Sequence, residues 1–264
     1  MLATPAILGL LAGGAIFAGL PIAFASGVKE RHRSLLTSIS TGILIYLFVE
    51  ICAKTLDELE DLLASSMADY PTWGDFWLYS FLFIAGLAAG LLGLVYFEGR
   101  FIKQGKDEIL PMMRARRTAL FIAIGIGLHN LTEGLVIGAQ YAWGEQNFAL
   151  LLALGFGLHN ATEGFGIAAP MAGHSPGFRY LMGLGLIGGL PTFIGALLGG
   201  VWVNKMLETF FMAVAAGAIL YIIGELLHLG RRLKGEALVE VGLLIGFVAA
   251  FATEMMIVSQ GGSL

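Results

Sequence analysis

Gly125-Ile126-Gly127-Leu128-His129-Asn130-Leu131-Thr132-Glu133-Gly134 returns thirty residues later as Gly155-Phe156-Gly157-Leu158-His159-Asn160-Ala161-Thr162-Glu163-Gly164. Each copy lies in the middle of an apolar run, Ala119–Tyr141 and Phe148–Ala169. A membrane-spanning helix takes about 20 predominantly apolar residues, and both runs meet that length. Joined by a short loop, the two runs read as neighbouring antiparallel helices with their polar motifs at one depth.

Working outward, six more runs of the same kind flank this pair: Pro5–Ala25, Leu35–Ala53, Phe76–Phe97, Tyr180–Val203, Phe210–Leu229 and Ala237–Val258. The chain therefore reads as an all-α polytopic membrane protein with eight transmembrane helices around a central pair. Residues 1–264 form a single transmembrane domain. Two connections are long, an acidic one from Lys54 to Asp75 and a basic one from Glu98 to Thr118. Either can hold helical extensions. Composition agrees: 57% of residues are hydrophobic and only 13% charged, at a mean hydropathy of +0.83. Soluble domains carry about a quarter charged residues.

A net charge of −4 and the lack of a basic stripe leave no role for nucleic acid. Cys52 is alone, which excludes an internal disulfide and a thiolate metal cluster. Met1-Leu2-Ala3-Thr4 lacks the basic start of a cleaved signal, so the first run is expected to be retained.

Thirteen of the 15 basic residues fall on one side of this arrangement, from Lys29, Arg31 and Arg33 to Arg231, Arg232 and Lys234; only Lys54 and Lys205 fall on the other. Basic loops face the cytoplasm. The expected location is the plasma or inner cell membrane, multi-pass, with both termini extracytoplasmic. The glycine pairs Gly86/Gly90, Gly185/Gly189 and Gly195/Gly199 have the spacing that brings membrane helices close, and they read as packing positions.

A fainter repeat joins the two halves. Gly42-x3-Tyr46-x3-Glu50 in span two echoes Gly217-x3-Tyr221-x3-Glu225 in span seven, and Gly19-Leu20-Pro21 echoes Gly189-Leu190-Pro191. Spans two and seven run in opposite directions, so these read as inverted repeats, an architecture that holds substrate near the midplane.

The duplicated motif carries the chemistry. A helix advances about 100° per residue, so Glu133 falls about 40° from His129 and between it and Asn130. His159, Asn160 and Glu163 repeat the geometry. Two such faces opposed offer a His/Glu/His/Glu pocket beside an Asn/Glu/Asn/Glu pocket with shared carboxylates. An acidic side chain at a helix centre costs about 3 kcal/mol. With no Lys or Arg in either span, the compensating charge falls to protons or a metal ion. Imidazole with carboxylate suits Zn²⁺, Fe²⁺ and Co²⁺; Ca²⁺ and Mg²⁺ prefer oxygen shells and Cu⁺ prefers sulfur. Nearer the ends of the spans, Glu50, Glu225 and His228 are candidate gate or pathway residues, with snorkelling to the interface as the plainer reading. The acidic stretch Asp57, Glu58, Glu60 and Asp61 can concentrate cations by its field. Glu240, Glu254 and His174 carry no assigned role.

At His129-Asn130-x-x-Glu133-Gly134 and His159-Asn160-x-x-Glu163-Gly164 the chain resembles the ZIP (Zrt/Irt-like) metal transporters, over its whole length of eight spans. The resemblance implies import of Zn²⁺, or of Fe²⁺, Mn²⁺, Co²⁺ or Cd²⁺, toward the cytoplasm, two adjacent metal sites and elevator-like alternating access. It implies no cofactor beyond the transported ion, no enzyme activity, and partners limited to divalent metal ions and the lipid bilayer; a homodimer is left open. Two departures stand out. Thr162 occupies a position where many relatives have Pro, and Thr192 in span six stands where many supply a carboxylate. An intramembrane metal-dependent hydrolase is the alternative from another class, and a channel or a metal sensor would use the same cluster. The inverted repeats and the duplicated ligand set favour transport.

Overall fold

The computed structural model describes residues 3–25, 29–68, 73–97, 99, 111–174, 176–201, 205–232 and 236–259. Every regular element among them is helical. In chain order these are α1 (Ala3–Gly14), α2 (Ile16–Gly19), α3 (Glu30–Ala68), α4 (Trp73–Phe97), α5 (Pro111–Ala142), α6 (Gln146–Ala168), α7 (Phe178–Gly199), α8 (Lys205–Arg232) and α9 (Glu236–Ser259).

The protein is an all-α polytopic membrane protein. Seven helical stretches among the described residues are long and apolar enough to cross a membrane: the run Ala3–Phe24 and helices α3, α4, α5, α7, α8 and α9. The helix missing from that set is α6, because His159, Asn160, Thr162 and Glu163 interrupt its apolar character. Its 23 residues still reach about 34 Å at 1.5 Å per residue, enough for a hydrocarbon core of about 30 Å. Neighbouring helices cover one face of it, where Phe156, His159, Asn160 and Glu163 are all buried, while Leu150, Leu154 and Leu158 are exposed.

Two of the expected spans take unexpected forms. The first is broken: α1 stops at Gly14, α2 makes a single turn, and Leu20–Phe24 tightens into a 3-10 helix around Pro21. Pro21 has no N–H for an α-helical bond, which favours that change. The second span overruns its apolar stretch. Helix α3 has 39 residues and extends for about 58 Å, so the acidic segment from Asp57 to Asp61 is its last part rather than a loop. The basic connection lies mostly outside the described residues.

Helices α1, α5, α6 and α7 pack on one another, as do α3, α4, α8 and α9; α5 meets α8, and α6 meets α3 and α9, where the two groups join. Within each group glycines let backbones touch. A Cβ on Gly134 would collide with the Thr192 carbonyl of α7, and one on Gly164 with the Ile16 carbonyl of α2. Reciprocally, Gly195 packs on the backbone of Leu131, Gly134 and Leu135, while Gly19 packs on that of Ala161, Gly164 and Phe165. The two crossings are equivalent, residue for residue. In the other group, Gly42 packs on Leu243 and Phe247 of α9 as Gly217 packs on Leu87 and Leu91 of α4.

These contacts bear out the inverted repeat and correct part of its register. Gly42 does correspond to Gly217. Gly19 corresponds to Gly195, however, and not to Gly189, whose counterpart is Gly13. The shared Gly-Leu-Pro tripeptide is a coincidence of composition, and the two prolines behave differently. Pro21 lies in a 3-10 segment, whereas Pro191 stays inside α7. Pro191 leaves the Ile187 carbonyl without its usual helical donor, and Gly127 of α5 packs against that carbonyl.

Candidate metal centre

The repeated motif builds the same local structure twice. Thr132 Oγ1 donates to the His129 carbonyl at 2.6 Å, and Thr162 Oγ1 to the His159 carbonyl at 2.7 Å. Asn130 Nδ2 donates to the Gly188 carbonyl of α7 at 3.1 Å, and Asn160 Nδ2 to the Ala12 carbonyl of α1 at 3.0 Å. Each amide is thereby fixed with one N–H committed to backbone and its Oδ1 left without a hydrogen bond among the described residues. Asn160 also faces Glu133 across the helix pair, and Asn130 faces Glu163.

Between α5 and α6 the acid and imidazole groups converge. His129 Nε2 lies 3.4 Å from Glu133 Oε1, and His159 Nε2 lies 3.6 Å from Glu163 Oε1. One ligand atom from each of His129, Glu133 and His159 falls within 4.8 Å of the others. Glu163 is not part of that tightest group, although it is 0% exposed. Both ring nitrogens of each histidine, Glu133 Oε2 and both oxygens of Glu163 lack hydrogen-bond partners among the described residues. Buried polar atoms are usually satisfied, and a cluster of orphans at one spot calls for a ligand. Imidazole nitrogens and carboxylate oxygens with uncommitted lone pairs can together hold a divalent cation.

Thr192 of α7 is fully buried with its hydroxyl unpartnered among the described residues. Its backbone abuts Gly134, one residue beyond Glu133. It can offer one neutral oxygen there and no charge.

A narrow cleft leads to the cluster from the end of the bundle that carries Lys54. Glu50, Ile51, Lys54, His129 and Glu133 are among its lining residues. Near the opposite end lies a separate cavity lined in part by Arg117, Phe121, Tyr221 and Glu225. There Arg117 Nη2 is 3.9 Å from Glu225 Oε2, and the guanidinium lies 6.0 Å from the Phe121 ring centroid. Ile222 also lines this cavity, and Ile122, Ile126 and Ile219 are buried in the same core. Glu50 and Glu225 thus line two different cavities. His228 is exposed and lines neither.

Sequence reasoning missed Lys54 and Glu254. With no basic residue in spans four and five, compensation of the carboxylates fell to protons or metal alone. Yet Lys54 comes to the cleft from α3, a different helix. Its place one helical turn after Glu50 was the available signal. Glu254 of α9 is 7% exposed and acts electrostatically on both Glu50 and Glu133. His174 is elsewhere, in the loop after α6. It contacts the Arg33 guanidinium, and burial together with that charge holds its imidazole below the ordinary histidine pKa.

Compared with models of known protein families, residues 100–254 match the ZIP Zinc transporter family. That stretch covers more than half of the chain and includes both copies of the motif. A comparison with curated proteins finds no match.

Proposed function

The chain belongs to the ZIP zinc transporter family, and from that premise we propose that it carries divalent transition-metal ions, Zn²⁺ foremost, through the α5–α6 cluster toward the cytoplasm. Fe²⁺, Mn²⁺, Co²⁺ and Cd²⁺ share the ligand preferences and are further candidate cargo. His129, Glu133, His159 and Glu163 act as the ligands, with Asn130 and Asn160 supplying amide oxygens to an adjoining second position. The observation that carries this reading is the buried convergence of His129, Glu133 and His159 within 4.8 Å.

The cleft lined by Glu50 and Lys54 serves as the extracytoplasmic approach, and the cavity at Arg117 and Glu225 as the cytoplasmic exit. This assignment follows the concentration of Lys and Arg at the Arg117 end, with both chain termini extracytoplasmic in the cell membrane. The hydrolase alternative is disfavoured: the family is one of transporters, and hydrolysis needs no second, near-equal copy of a ligand set.

The test is uptake of a panel of divalent ions into proteoliposomes holding the purified protein, with His129→Ala as control. Saturable Zn²⁺ uptake that the substitution removes is the expected result. Uptake by the folded variant at the wild-type rate would end the reading.

A further inference from the structure

Lys54 brings a positive charge into a cleft whose other polar groups suit cations. It lines that cleft with Glu50, His129 and Glu133. Its ammonium acts electrostatically on all three, and on Glu254 of α9. Glu254 is itself buried and acts on Glu50 and Glu133. None of the ion pairs within 4 Å among the described residues takes Lys54 or Glu254. Lys54 is therefore close enough to balance several carboxylates and bound to none of them.

Charge balance gives this placement a purpose. Three carboxyl groups (Glu50, Glu133 and Glu254) in one partly buried region repel one another and are costly without a counter-charge. A lysine ammonium on a flexible four-carbon stem can supply that charge and can also swing back toward solvent. The opposite opening repeats the device: Glu225, the repeat partner of Glu50, has the Arg117 guanidinium 3.9 Å away. Each opening thus sets a basic side chain beside the equivalent glutamate.

We propose that Lys54 is a tethered counter-ion of the empty cleft, which an arriving divalent metal ion displaces. Lys54 is not a ligand. It lowers apparent metal affinity by competing for the same carboxylates, and so helps release of the ion as well as selection for divalent charge. The inference rests on the metal-transport reading above.

The test is calorimetric Zn²⁺ binding to the detergent-solubilised protein, paired with initial uptake rates in proteoliposomes. Lys54→Gln should tighten Zn²⁺ binding by about tenfold, the worth of one unit charge several ångströms away in a partly solvated setting. Lys54→Arg should keep the wild-type affinity, which a purely steric role would not predict. Unchanged or weaker binding in folded Lys54→Gln, with His129→Ala still abolishing binding, would overturn the counter-ion role and leave the transport reading intact. Zn²⁺ binding that survives His129→Ala would instead sink the transport reading.

Discussion

The rings of His129 and His159 face each other across the α5–α6 pair, their centroids 6.1 Å apart and their planes inclined at 55°. Each ring has its own glutamate one turn further along its helix, at 3.4 and 3.6 Å. Any ion that takes both imidazoles therefore bridges two helices, and its affinity depends on how those helices are held together.

Loss of one donor should be felt strongly. His129→Ala, Glu133→Ala or His159→Ala is expected to weaken Zn²⁺ binding at least about a hundredfold, beyond what removal of a supporting outer-shell group costs. Glu163→Ala should follow the same direction. Isothermal calorimetry on the folded variants measures it, and retention of wild-type affinity by any of the first three would exclude that residue as a ligand.

The two pockets should be unequal. Asn130 and Asn160 add neutral oxygens, and Thr192, fully buried in α7, adds only a hydroxyl. One tight ion and a second weak one are expected. Asn130→Ala should harm uptake less than His129→Ala, and Thr192→Glu should strengthen the second position. Two tight, equivalent ions per wild-type chain would refute this ranking.

Protons compete for the lone pairs that the metal uses, because coordinating imidazole and carboxylate must be deprotonated. Apparent Zn²⁺ affinity is therefore expected to fall as pH falls, most steeply between about pH 7.5 and 5.5, where imidazoles ordinarily titrate. A competition assay with a metal indicator across that range reads it out. A flat profile would count against proton competition at the cluster.

Glu50 and Glu225 line different openings, so single cysteines at these positions, in a Cys52→Ser background, should be labelled from opposite faces of the membrane by an impermeant maleimide. Labelling of both positions from one face would contradict the assigned approach and exit.

Backbone crossings leave no room for side chains. Gly164→Ala should cost about 1–3 kcal/mol, the usual scale for overpacking, because the added methyl meets the Ile16 carbonyl. Gly157→Ala, whose Cβ would find ordinary contacts at 3.8 Å and beyond, should be nearly silent. Thermal unfolding in detergent distinguishes the two, and equal melting temperatures would show that the crossing can relax.

Much of this architecture was legible in the chain itself. Apolar length gave the helices, and the ten-residue duplication located the cluster, because both signals depend on spacing along one helix. The parts that were not legible depend on which helices meet. Nothing along the sequence says that Asn130 donates to Gly188 and Asn160 to Ala12, or that Glu254 approaches Glu50. Similarly, Gly-Leu-Pro was a misleading guide to the first repeat because composition recurs freely in glycine-rich helices. The correct register appears only in the reciprocal packing of Gly19 and Gly195.

The glycine crossings also determine where the molecule can shear. Two helices joined backbone to backbone, as α5 is to α7 at Gly134 and Thr192, cannot slide without driving one carbonyl into the next Cα. The α5–α8 surface is different: Gly125 faces the side-chain tips of Ile222 and Ile219 and the methyl of Ala218. Methyl groups slide past one another at small cost, since a methyl that leaves one neighbour meets a similar one a fraction of a turn away. The α5–α8 contact is thus the smoother of the two. The histidines belong to one group of helices, and Glu50, Lys54 and Glu225 belong to the other.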